Sequence, residues 1–246
     1  GESPLKESFK VVINNCVFAL RYPLWHTRDI VVQKTQFNET SRAPIWYANY
    51  VQLIESIFYC PKALRESKNI QAVNIKLNGN EGLWNCECVQ LDTSKFNSEY
   101  FGLKSNKVYA VSCQFSGKYT FQYSENSNFK FCEFNTKDAF WHSKNVTLKN
   151  CVIKGEYLGW YSENLTLVDC LIIGRQPLCY CKKLKLINCK MRQCENAFEL
   201  SDVEATIDGE VTSVRYPLSG LIVADDYGEV TFENAPCRCK CDVVKR

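Results

Sequence analysis

Apolar residues recur in short alternating runs, and these runs repeat every 19 residues. In each repeat an apolar residue or glycine, which we call the anchor, is followed at positions six and eight mainly by Ile, Val or Leu, as Phe140 is followed by Val146 and Leu148. Alternation with a period of two predicts short β-strands that turn one face inward. Every step between anchors is 19 residues except one of 21, and the anchors are Leu5, Leu24, Ile45, Leu64, Leu83, Gly102, Phe121, Phe140, Gly159, Leu178 and Ala197.

Short strands at a fixed period predict an all-β parallel β-solenoid (β-helix) of about eleven coils, in which equivalent residues of successive coils align. We expect the right-handed form, because parallel crossover connections are right-handed and the hexapeptide period of left-handed solenoids is absent. The period fails after Ala197. We therefore predict a single domain over residues 1–246, with regular coils over 1–214 and an irregular C-terminal coil or cap over 215–246.

Fifteen cysteines are many for this length, and six of them occupy one column of the repeat. A buried free thiol packs as a small apolar group, and neighbours that point in parallel suit disulfide geometry poorly. We expect an internal ladder of reduced thiols and hence a reducing, cytoplasmic location. The column lies eleven residues after the anchors and contains Cys16, Cys113, Cys132, Cys151, Cys170 and Cys189.

Charge and hydropathy exclude several classes of partner. The net charge of +3 without a Lys/Arg cluster argues against nucleic acid. No apolar run approaches the ~18 residues of a membrane span, and the opening GESPLKESF lacks the features of a signal peptide. The chain has no nucleotide or catalytic fingerprint, so we predict no cofactor. Cys237, Cys239 and Cys241 alternate, which predicts one strand face, but a usual zinc site has four ligands with CxxC spacing, and we predict no metal.

All five tryptophans lie one position after an anchor. Lys6, Arg65 and Gln122 share this column, so we expect it to face outward. Two interpretations stay open. Stacked aromatic rings stabilise adjacent coils, whereas exposed Trp beside charged residues suits the binding of sugars and their carboxylates. The predicted ligand-binding residues are Trp25, Trp46, Trp84, Trp141, Trp160, Arg21, Arg42 and Arg65.

The stretch DAFWHSKNVTLKNC, residues 138–151, resembles a catalytic site when read alone. Within the repeat, however, Ser143 belongs to a column of Ser, Thr and Cys that we assign to a corner, where hydroxyls cap backbone groups. A polysaccharide lyase or hydrolase needs an acid and a base near the scissile bond. The candidates on neighbouring coils are Asp138, His142, Glu156 and Lys137, and those nearer the N-terminus are Arg21, His26, Arg42 and Arg65.

The motifs GESPLKES, RYPLW, RAPIWY, PKALRESKNI, DAFWHSKNVTLKNC, GEYLGWYSENLTLVDC and LCY resemble those of an uncharacterised, mainly bacterial family known as domain of unknown function 3737. The resemblance covers essentially the whole chain. It implies a right-handed parallel β-helix of pectate-lyase-like shape, with about one further N-terminal coil, and it supplies no reaction. A coil without that cap would expose a strand edge, so we expect homo-oligomers through coil ends.

Three functions follow from these observations. The first is a module that binds a glycan or another extended ligand along the Trp and charged face. The second is a polysaccharide-active enzyme, lyase or glycoside hydrolase, on the same face, and the third is a structural scaffold without a ligand. Fold alone does not decide among them, and we rank binding first.

Overall fold

The computed structural model describes residues 2–246, and this part of the chain contains β-strands and no helix. Its contacts divide it into two compact units. Unit 1 comprises residues 1–121, of which residues 2–121 are described, and unit 2 comprises residues 122–246.

Unit 1 consists of stacked coils whose strands pair in parallel in three sheets. The first sheet has the order β1-β4-β7-β10-β12-β14, the second β2-β5-β8-β11-β13-β15, and the third β3-β6-β9. The strands are β1 (Phe9–Asn14), β2 (Val17–Phe18), β3 (Leu24–Trp25), β4 (Arg28–Gln33), β5 (Gln36–Phe37), β6 (Ile45–Trp46), β7 (Asn49–Ile54), β8 (Ile57–Phe58), β9 (Leu64–Arg65), β10 (Lys68–Val73), β11 (Lys76–Asn78), β12 (Glu87–Asp92), β13 (Lys95–Asn97), β14 (Asn106–Val111) and β15 (Gln114–Lys118).

The strand register in unit 1 reproduces the repeat read from the sequence. Phe9 pairs with Arg28, a step of 19 residues, whereas Arg28 pairs with Asn49, a step of 21. Leu24 with Ile45 and Phe37 with Phe58 show the same longer step. The two extra residues therefore lie in the connection between β5 and β6.

Unit 2 continues the same architecture in two parallel sheets and then changes. β16, β18, β20, β22, β23, β24 and β25 form one ladder, and β17, β19 and β21 form the other and join β22. The strands are β16 (Glu125–Lys130), β17 (Glu133–Lys137), β18 (Lys144–Lys149), β19 (Val152–Lys154), β20 (Glu163–Val168), β21 (Leu171–Ile173), β22 (Leu184–Arg192), β23 (Asp202–Arg215), β24 (Ser219–Thr231) and β25 (Asp242–Lys245).

The regular step ends within β22. Leu184 pairs with Val203, a step of 19, but a bulge follows and Asp202 pairs with Ser219, a step of 17. The corner between the two sheets is lost here, so β22, β23 and β24 run through as strands of 9, 14 and 13 residues.

Buried aromatic rungs fill the space between the sheets of each unit. In unit 1, Phe37 stacks on Phe58 with ring centroids 4.6 Å apart. In unit 2, Phe129, Phe134 and Phe140 meet edge to face at 5.3–5.6 Å. Such pairs contribute about 0.5–1.5 kcal/mol each beyond the burial of area, which favours stacking of neighbouring coils.

Several corners confirm the predicted role of hydroxyl groups, and asparagine occupies left-handed positions close to them. Asn69, Asn145 and Asn164 adopt left-handed backbone with φ of 53–54°, a conformation that asparagine tolerates. Ser67 accepts a hydrogen bond from the backbone N–H of Ala48 at 3.0 Å and donates one to the carbonyl of Arg65 at 2.7 Å. The corner column thus satisfies backbone groups where the chain turns.

The predicted fold class is confirmed: the chain is all-β and forms a parallel β-solenoid with about twelve coils of roughly 19 residues. The right-handed sense and the assignment of residues 1–246 to one domain stay predictions. The first described coil exposes Phe9, Val12 and Val17, and end-to-end association through such coils also stays a prediction.

Candidate ligand-binding site

Four of the predicted ligand-binding residues of unit 1 form, together with Lys6, a row across successive coils, which we call the Trp row: Lys6, Trp25, Trp46, Arg65 and Trp84. Lys6 Nζ lies 4.6 Å above the Trp25 ring, and the Trp25 and Trp46 rings stack at 6.1 Å. The Arg65 guanidinium lies 6.0 Å from the Trp46 ring and 4.7 Å from the Trp84 ring. The ring faces between these neighbours are therefore covered within the row. The predicted Arg21 and Arg42 lie outside this row, four residues before Trp25 and Trp46.

The indole nitrogens of the Trp row are not all satisfied. Nε1 of Trp25 and Nε1 of Trp46 are buried and have no hydrogen-bond partner among residues 2–246. A buried donor without a partner costs about 1–3 kcal/mol of stability. The Trp row therefore carries polar groups that its own fold leaves unused.

Most charged residues in and beside the Trp row are neutralised locally. The Glu81 carboxylate forms ion pairs with Arg65 at 3.2 Å and with Lys62 at 3.3 Å, and Arg21 lies 3.7 Å from the Glu2 carboxylate. Arg42 is exposed and makes no ion pair within the described chain. Among the predicted arginines, Arg42 thus retains an unpaired charge.

Trp141 and Trp160 occupy the equivalent column of unit 2 with a different geometry. Their rings stack at 5.3 Å with an angle of 4° between the planes. Trp141 Nε1 donates to the carbonyl of Tyr157 at 2.6 Å, and Trp160 Nε1 donates to the carbonyl of Gln176 at 2.7 Å. This pair is fully engaged in holding adjacent coils together.

The column is less exposed than the sequence predicted. All five tryptophans are half-buried, and Leu103, Gln122, Cys179 and Phe198 of the same column are buried. The expectation of an outward column is wrong at these four positions. The physical reason is the backbone, because left-handed residues interrupt this segment, as at Phe121 and Leu178 with φ of 55° and 62°, and strict alternation holds only for extended strands.

The catalytic candidates of unit 2 are engaged in pairs and stacks. Lys137 Nζ lies 3.1 Å from the Glu156 carboxylate, and this hydrogen bond raises the pKa of Lys137. Asp138 is 6% exposed. The His142 ring is sandwiched between Tyr123 at 4.8 Å and Tyr161 at 5.0 Å, so its two faces pack against neighbouring coils. Ser143 is buried.

The candidates nearer the N-terminus are spread over the surface. The His26 ring stacks on Tyr47 at 4.9 Å and contacts Trp25 at 5.3 Å. No hydrogen bond or ion pair joins His26 to Arg42 in residues 2–246. The structure thus brings Lys137 together with Glu156, and leaves His26 and Arg42 without a mutual contact.

A groove of about 630 Å³ lies elsewhere on unit 1, over the outward face of its first sheet. It crosses five coils, those of β4, β7, β10, β12 and β14. We call it the Gln groove, because Gln52, Gln71 and Gln90 stand in register along its floor, followed by Tyr109. Its lining residues are Asp29, Ile30, Val31, Tyr50, Val51, Gln52, Asn69, Ile70, Gln71, Cys88, Val89, Gln90, Lys107 and Tyr109.

The floor of the Gln groove offers free hydrogen-bonding groups. Gln52, Gln71 and Gln90 are exposed, and their side-chain amides make no hydrogen bond with any residue from 2 to 246. Two tyrosine rings flank them, Tyr50 at 49% and Tyr109 at 41% exposure. The groove therefore combines donors, acceptors and apolar rings on one surface.

Sequence reasoning missed the Gln groove. The signal was present, because glutamine stands seven positions after the anchor in three consecutive coils, at Gln52, Gln71 and Gln90. A polar residue on an outward strand face needs no special explanation in a single coil, and the row becomes distinctive only when the coils are stacked.

A smaller pocket of about 400 Å³ lies between the Trp row and the Gln groove along each coil. Tyr47, Glu66, Lys68 and Glu87 are among its lining residues. The Glu66 carboxylate raises the pKa of Tyr47 by accepting its hydrogen bond, whereas Lys68 and Lys107 lower the pKa of Glu87. Charged groups in this pocket thus pair with one another.

The buried cysteines are reduced thiols, and several lie side by side. All fifteen cysteines are free. In unit 2, the Cys151 thiol donates to the carbonyls of Lys149 at 3.4 Å and Phe129 at 3.6 Å, and the neighbouring thiols of Cys132 and Cys170 together with burial raise the pKa of Cys151. Cys16, in contrast, is exposed, so its predicted internal position is wrong: it belongs to the first described coil, where nothing covers it on one side.

The C-terminal cysteines do not share one strand face, as their alternation predicted. β25 begins at Asp242, so Cys237, Cys239 and Cys241 precede it in an irregular segment. Cys237 is exposed, Cys239 half-buried and Cys241 buried. In residues 2–246, no group of three or more His, Cys, Asp or Glu side chains is placed to hold a metal ion.

The described chain also has no helix of the length and hydrophobicity that a membrane span requires.

The chain has low similarity to several solved structures. PfbA, a surface adhesin of Streptococcus pneumoniae, has a TM-score of 0.37 at 11% identity, over 91% of this chain and 64% of the adhesin. HetL, a pentapeptide repeat protein of the cyanobacterium Nostoc, has a TM-score of 0.30 at 9% identity, over 81% and 92% of the two chains. The catalytic domain of a GH87 alpha-1,3-glucanase has a TM-score of 0.27 at 10% identity, over 89% of this chain and 49% of that chain.

No curated protein sequence matches the chain. A family model does: the one described as "Protein of unknown function (DUF3737)" matches residues 1–244, and the chain therefore belongs to this family.

Proposed function

We propose that this protein binds a carbohydrate or another extended, hydroxyl-rich ligand along the outward surface of unit 1. The observation that carries the proposal is the Gln groove, with its volume of about 630 Å³ and three unengaged amides in register. A carboxamide both donates and accepts hydrogen bonds, which matches the hydroxyl groups of a sugar. Exposed tyrosine rings supply apolar contact at low entropic cost.

The Trp row is a second candidate element of this surface, and exposed Arg42, which has no ion pair in the described chain, precedes Trp46 by four residues. The indole N–H groups of Trp25 and Trp46 lack partners but are buried, so they offer nothing to a ligand at the surface. The covered ring faces favour a stabilising role for the tryptophans. The Gln groove is therefore the primary site in this proposal, and the Trp row is tested separately.

A glycan array with the wild-type protein tests the proposal, followed by calorimetric titration of the glycans that bind. We expect Gln71→Ala to weaken binding about tenfold, because it removes hydrogen bonds of about 1.4 kcal/mol in total. Thr147→Ala is the matched control, since Thr147 occupies the same strand position in unit 2, and it should bind as the wild type does.

The other outcomes are informative. Absence of binding to every glycan contradicts the proposal. Binding that Trp25→Ala or Trp46→Ala abolishes and Gln71→Ala leaves intact moves the site to the Trp row, and loss with Trp141→Ala moves it to unit 2. Release of shorter sugars during incubation favours the polysaccharide-active enzyme instead, and its loss in His142→Ala would assign that activity to the catalytic candidates of unit 2.

The proposed working environment is a reducing compartment such as the cytoplasm. The free state of all fifteen cysteines and the hydrogen-bonded thiols of Cys132, Cys151 and Cys170 support it, because oxidising compartments favour disulfides. Thiol titration of the protein denatured directly from cells should find fifteen reactive groups. A smaller number that rises on reduction would contradict this location.

A further inference from the structure

The Gln groove repeats its chemistry once per coil. The floor runs Val31, Gln52, Gln71, Gln90 and Tyr109, and each of these residues pairs in register with the next. Neighbouring parallel strands are about 4.8 Å apart. A ligand that uses the row fully must therefore present hydrogen-bonding groups in step with this spacing, along the direction in which the coils stack.

This spacing distinguishes between classes of extended polymer. An extended peptide advances about 3.3 Å per residue and turns equivalent side chains to one side roughly every 6.6 Å, so it drifts out of step with the row within a few coils. A ribbon-like chain of pyranose rings joined through opposite ring carbons advances by close to one coil spacing per sugar, and successive sugars are turned over relative to each other. Equivalent hydroxyl groups thus recur at every second coil and stay in step with the row. Because a carboxamide both donates and accepts hydrogen bonds, each amide can bind either edge of a sugar.

The charged residues that line the groove further restrict the class of polymer that it can bind. Asp29 and Lys107 are the charged residues among those lining the groove, at opposite ends of the five coils. Lys107 is already paired with Glu87 at 3.3 Å. Recognition of a polyanion requires arginine or lysine along its length, and the groove does not provide them. The lining therefore suits a neutral polymer and disfavours polyuronates.

A second row of residues repeats along the groove. Asp29, Tyr50, Asn69, Cys88 and Lys107 occupy the same position of successive coils with φ between 53° and 56°. Left-handed backbone at each of these residues lies within the strand, and these residues line the groove together with the row of amides. The groove thus repeats the same two positions over five coils, as a linear polymer requires.

We propose that the ligand of the Gln groove is a neutral, linear, β-1,4-linked polysaccharide that lies parallel to the stacking direction of unit 1, with one sugar per coil over about five coils. This inference rests on the proposed function and specifies its ligand class. Gln52, Gln71 and Gln90 hold the three central sugars, and Tyr50 and Tyr109 contact sugars by their rings.

Calorimetric titration with β-1,4-linked gluco- and manno-oligosaccharides of two to seven sugars tests this inference. We expect affinity to rise with chain length to about five sugars and then to stay constant. Gln71→Ala should weaken binding of the longer oligosaccharides about tenfold. Tyr109→Ala, at the end of the row, should instead shorten by one sugar the length at which the affinity stops rising.

Two comparisons make the outcome decisive. Thr147→Ala in unit 2 should leave every affinity unchanged, and circular dichroism should show all three variants folded, because the substituted side chains are not buried. Binding of a glycan without dependence on chain length, or equal binding of oligogalacturonates, overturns this inference and leaves the proposed function standing. Failure of all glycans to bind, or tight binding of an extended peptide alone, overturns both.

Discussion

The two units carry the same 19-residue repeat, yet the indole N–H groups of their tryptophans differ. In unit 1, the indole N–H groups of Trp25 and Trp46 are buried and have no partners within the described chain. In unit 2, the equivalent indoles of Trp141 and Trp160 donate to backbone carbonyls.

Asparagine side chains are paired in both units. Asn69 donates to Asn49 at 2.8 Å in unit 1, and in unit 2 Asn145 donates to Asn126 at 3.1 Å and accepts from Asn164 at 2.9 Å. Exposed groups that are already paired gain little from a ligand, whereas exposed unpaired groups exchange water for one. The side-chain amides of the Gln groove are exposed and unpaired, so we expect binding there.

The backbone at the anchors explains the difference between the tryptophans. Leu24 and Ile45 lie in the extended strands β3 and β6, so Trp25 and Trp46 follow an ordinary strand. Phe140 and Gly159 are left-handed, with φ of 59° and 69°, which redirects the following Trp141 and Trp160. Their nitrogens reach the carbonyls of Tyr157 and Gln176, 16 residues ahead on the next coil.

Substitutions of two leucine anchors, which test this backbone difference, should have the largest effects on stability. Leu64 is an extended anchor in unit 1, and Leu178 is a left-handed anchor in unit 2 with φ of 62°. Both are buried, so Leu64→Ala and Leu178→Ala should each lower the free energy of unfolding by about 2–5 kcal/mol, as measured by urea denaturation.

Relative to the alanine variant, the glycine variant should be more stable at one of these sites and less stable at the other. Glycine favours left-handed backbone and weakens strands. Leu178→Gly should therefore be about 1 kcal/mol more stable than Leu178→Ala, and Leu64→Gly about 1 kcal/mol less stable than Leu64→Ala. The same sign at both positions would remove the backbone explanation.

Tryptophan-to-phenylalanine substitutions give the next largest effect. Trp160→Phe removes a donor from the carbonyl of Gln176 and should cost about 1–3 kcal/mol more than Trp46→Phe, which removes an N–H without a partner. The two substitutions delete the same atoms, so each controls for the loss of volume. Equal losses in thermal or urea unfolding would show that the indole bonds contribute nothing.

Alanine substitutions in the asparagine row of unit 2 and in the glutamine row of unit 1 should differ in their cost to stability by a smaller amount. Asn145→Ala breaks two exposed hydrogen bonds at a left-handed residue and should cost about 1–2 kcal/mol. Gln71→Ala removes an unengaged amide and should leave stability nearly unchanged. Asn145→Gly, which relaxes the backbone and removes the same bonds, separates the two contributions, and a cost for Gln71→Ala equal to that of Asn145→Ala would contradict the comparison.

Alkaline pH should destabilise both units through their buried thiols. Burial raises the pKa of Cys86 in unit 1 and of Cys194 in unit 2 to about 12. The folded state therefore keeps a proton that the unfolded state loses above pH 9, so this contribution to stability is complete below pH 9 and is lost between pH 9 and pH 12. Each such thiol should cost on the order of 1 kcal/mol at pH 10.

Unit 2 should lose more stability at alkaline pH than unit 1, because burial also raises the pKa of Cys179 and Cys181 in unit 2. Denaturant-dependent alkylation at pH 8 and pH 10, read by mass spectrometry at Cys86 and Cys194, reports each unit separately. Exposed Cys237 is the control and should react without denaturant at either pH. Constant protection of Cys194 between the two pH values would contradict the prediction.

Particular residues show how far the sequence could be interpreted. The alternation around Val146 and Leu148 predicted strands, and β18 contains both. Glycine at two anchors, Gly102 and Gly159, was the one sign of left-handed backbone in that column. Phe140 and Leu178 adopt the same conformation without any residue-level signal, because the corner geometry of the coil imposes it.

The predicted site illustrates the same division. The column of tryptophans was visible in the sequence, but which indole N–H finds an acceptor depends on a carbonyl one coil away. The Gln groove depends on residues from five coils, and on Asp29 and Lys107 standing at its ends. Such surfaces arise only when residues separated by 19 positions or multiples of 19 become neighbours.

Four features could be derived from the sequence alone: the period, the parallel β-solenoid, the inward positions of the anchors and the place of the 21-residue coil. They could be derived because the burial of apolar side chains at every second residue is a local property of each strand. The tertiary structure decided which polar groups are satisfied, which arginines are neutralised and where a groove opens. Those outcomes depend on backbone direction at the corners and on the contacts between coils, which a one-dimensional pattern does not contain.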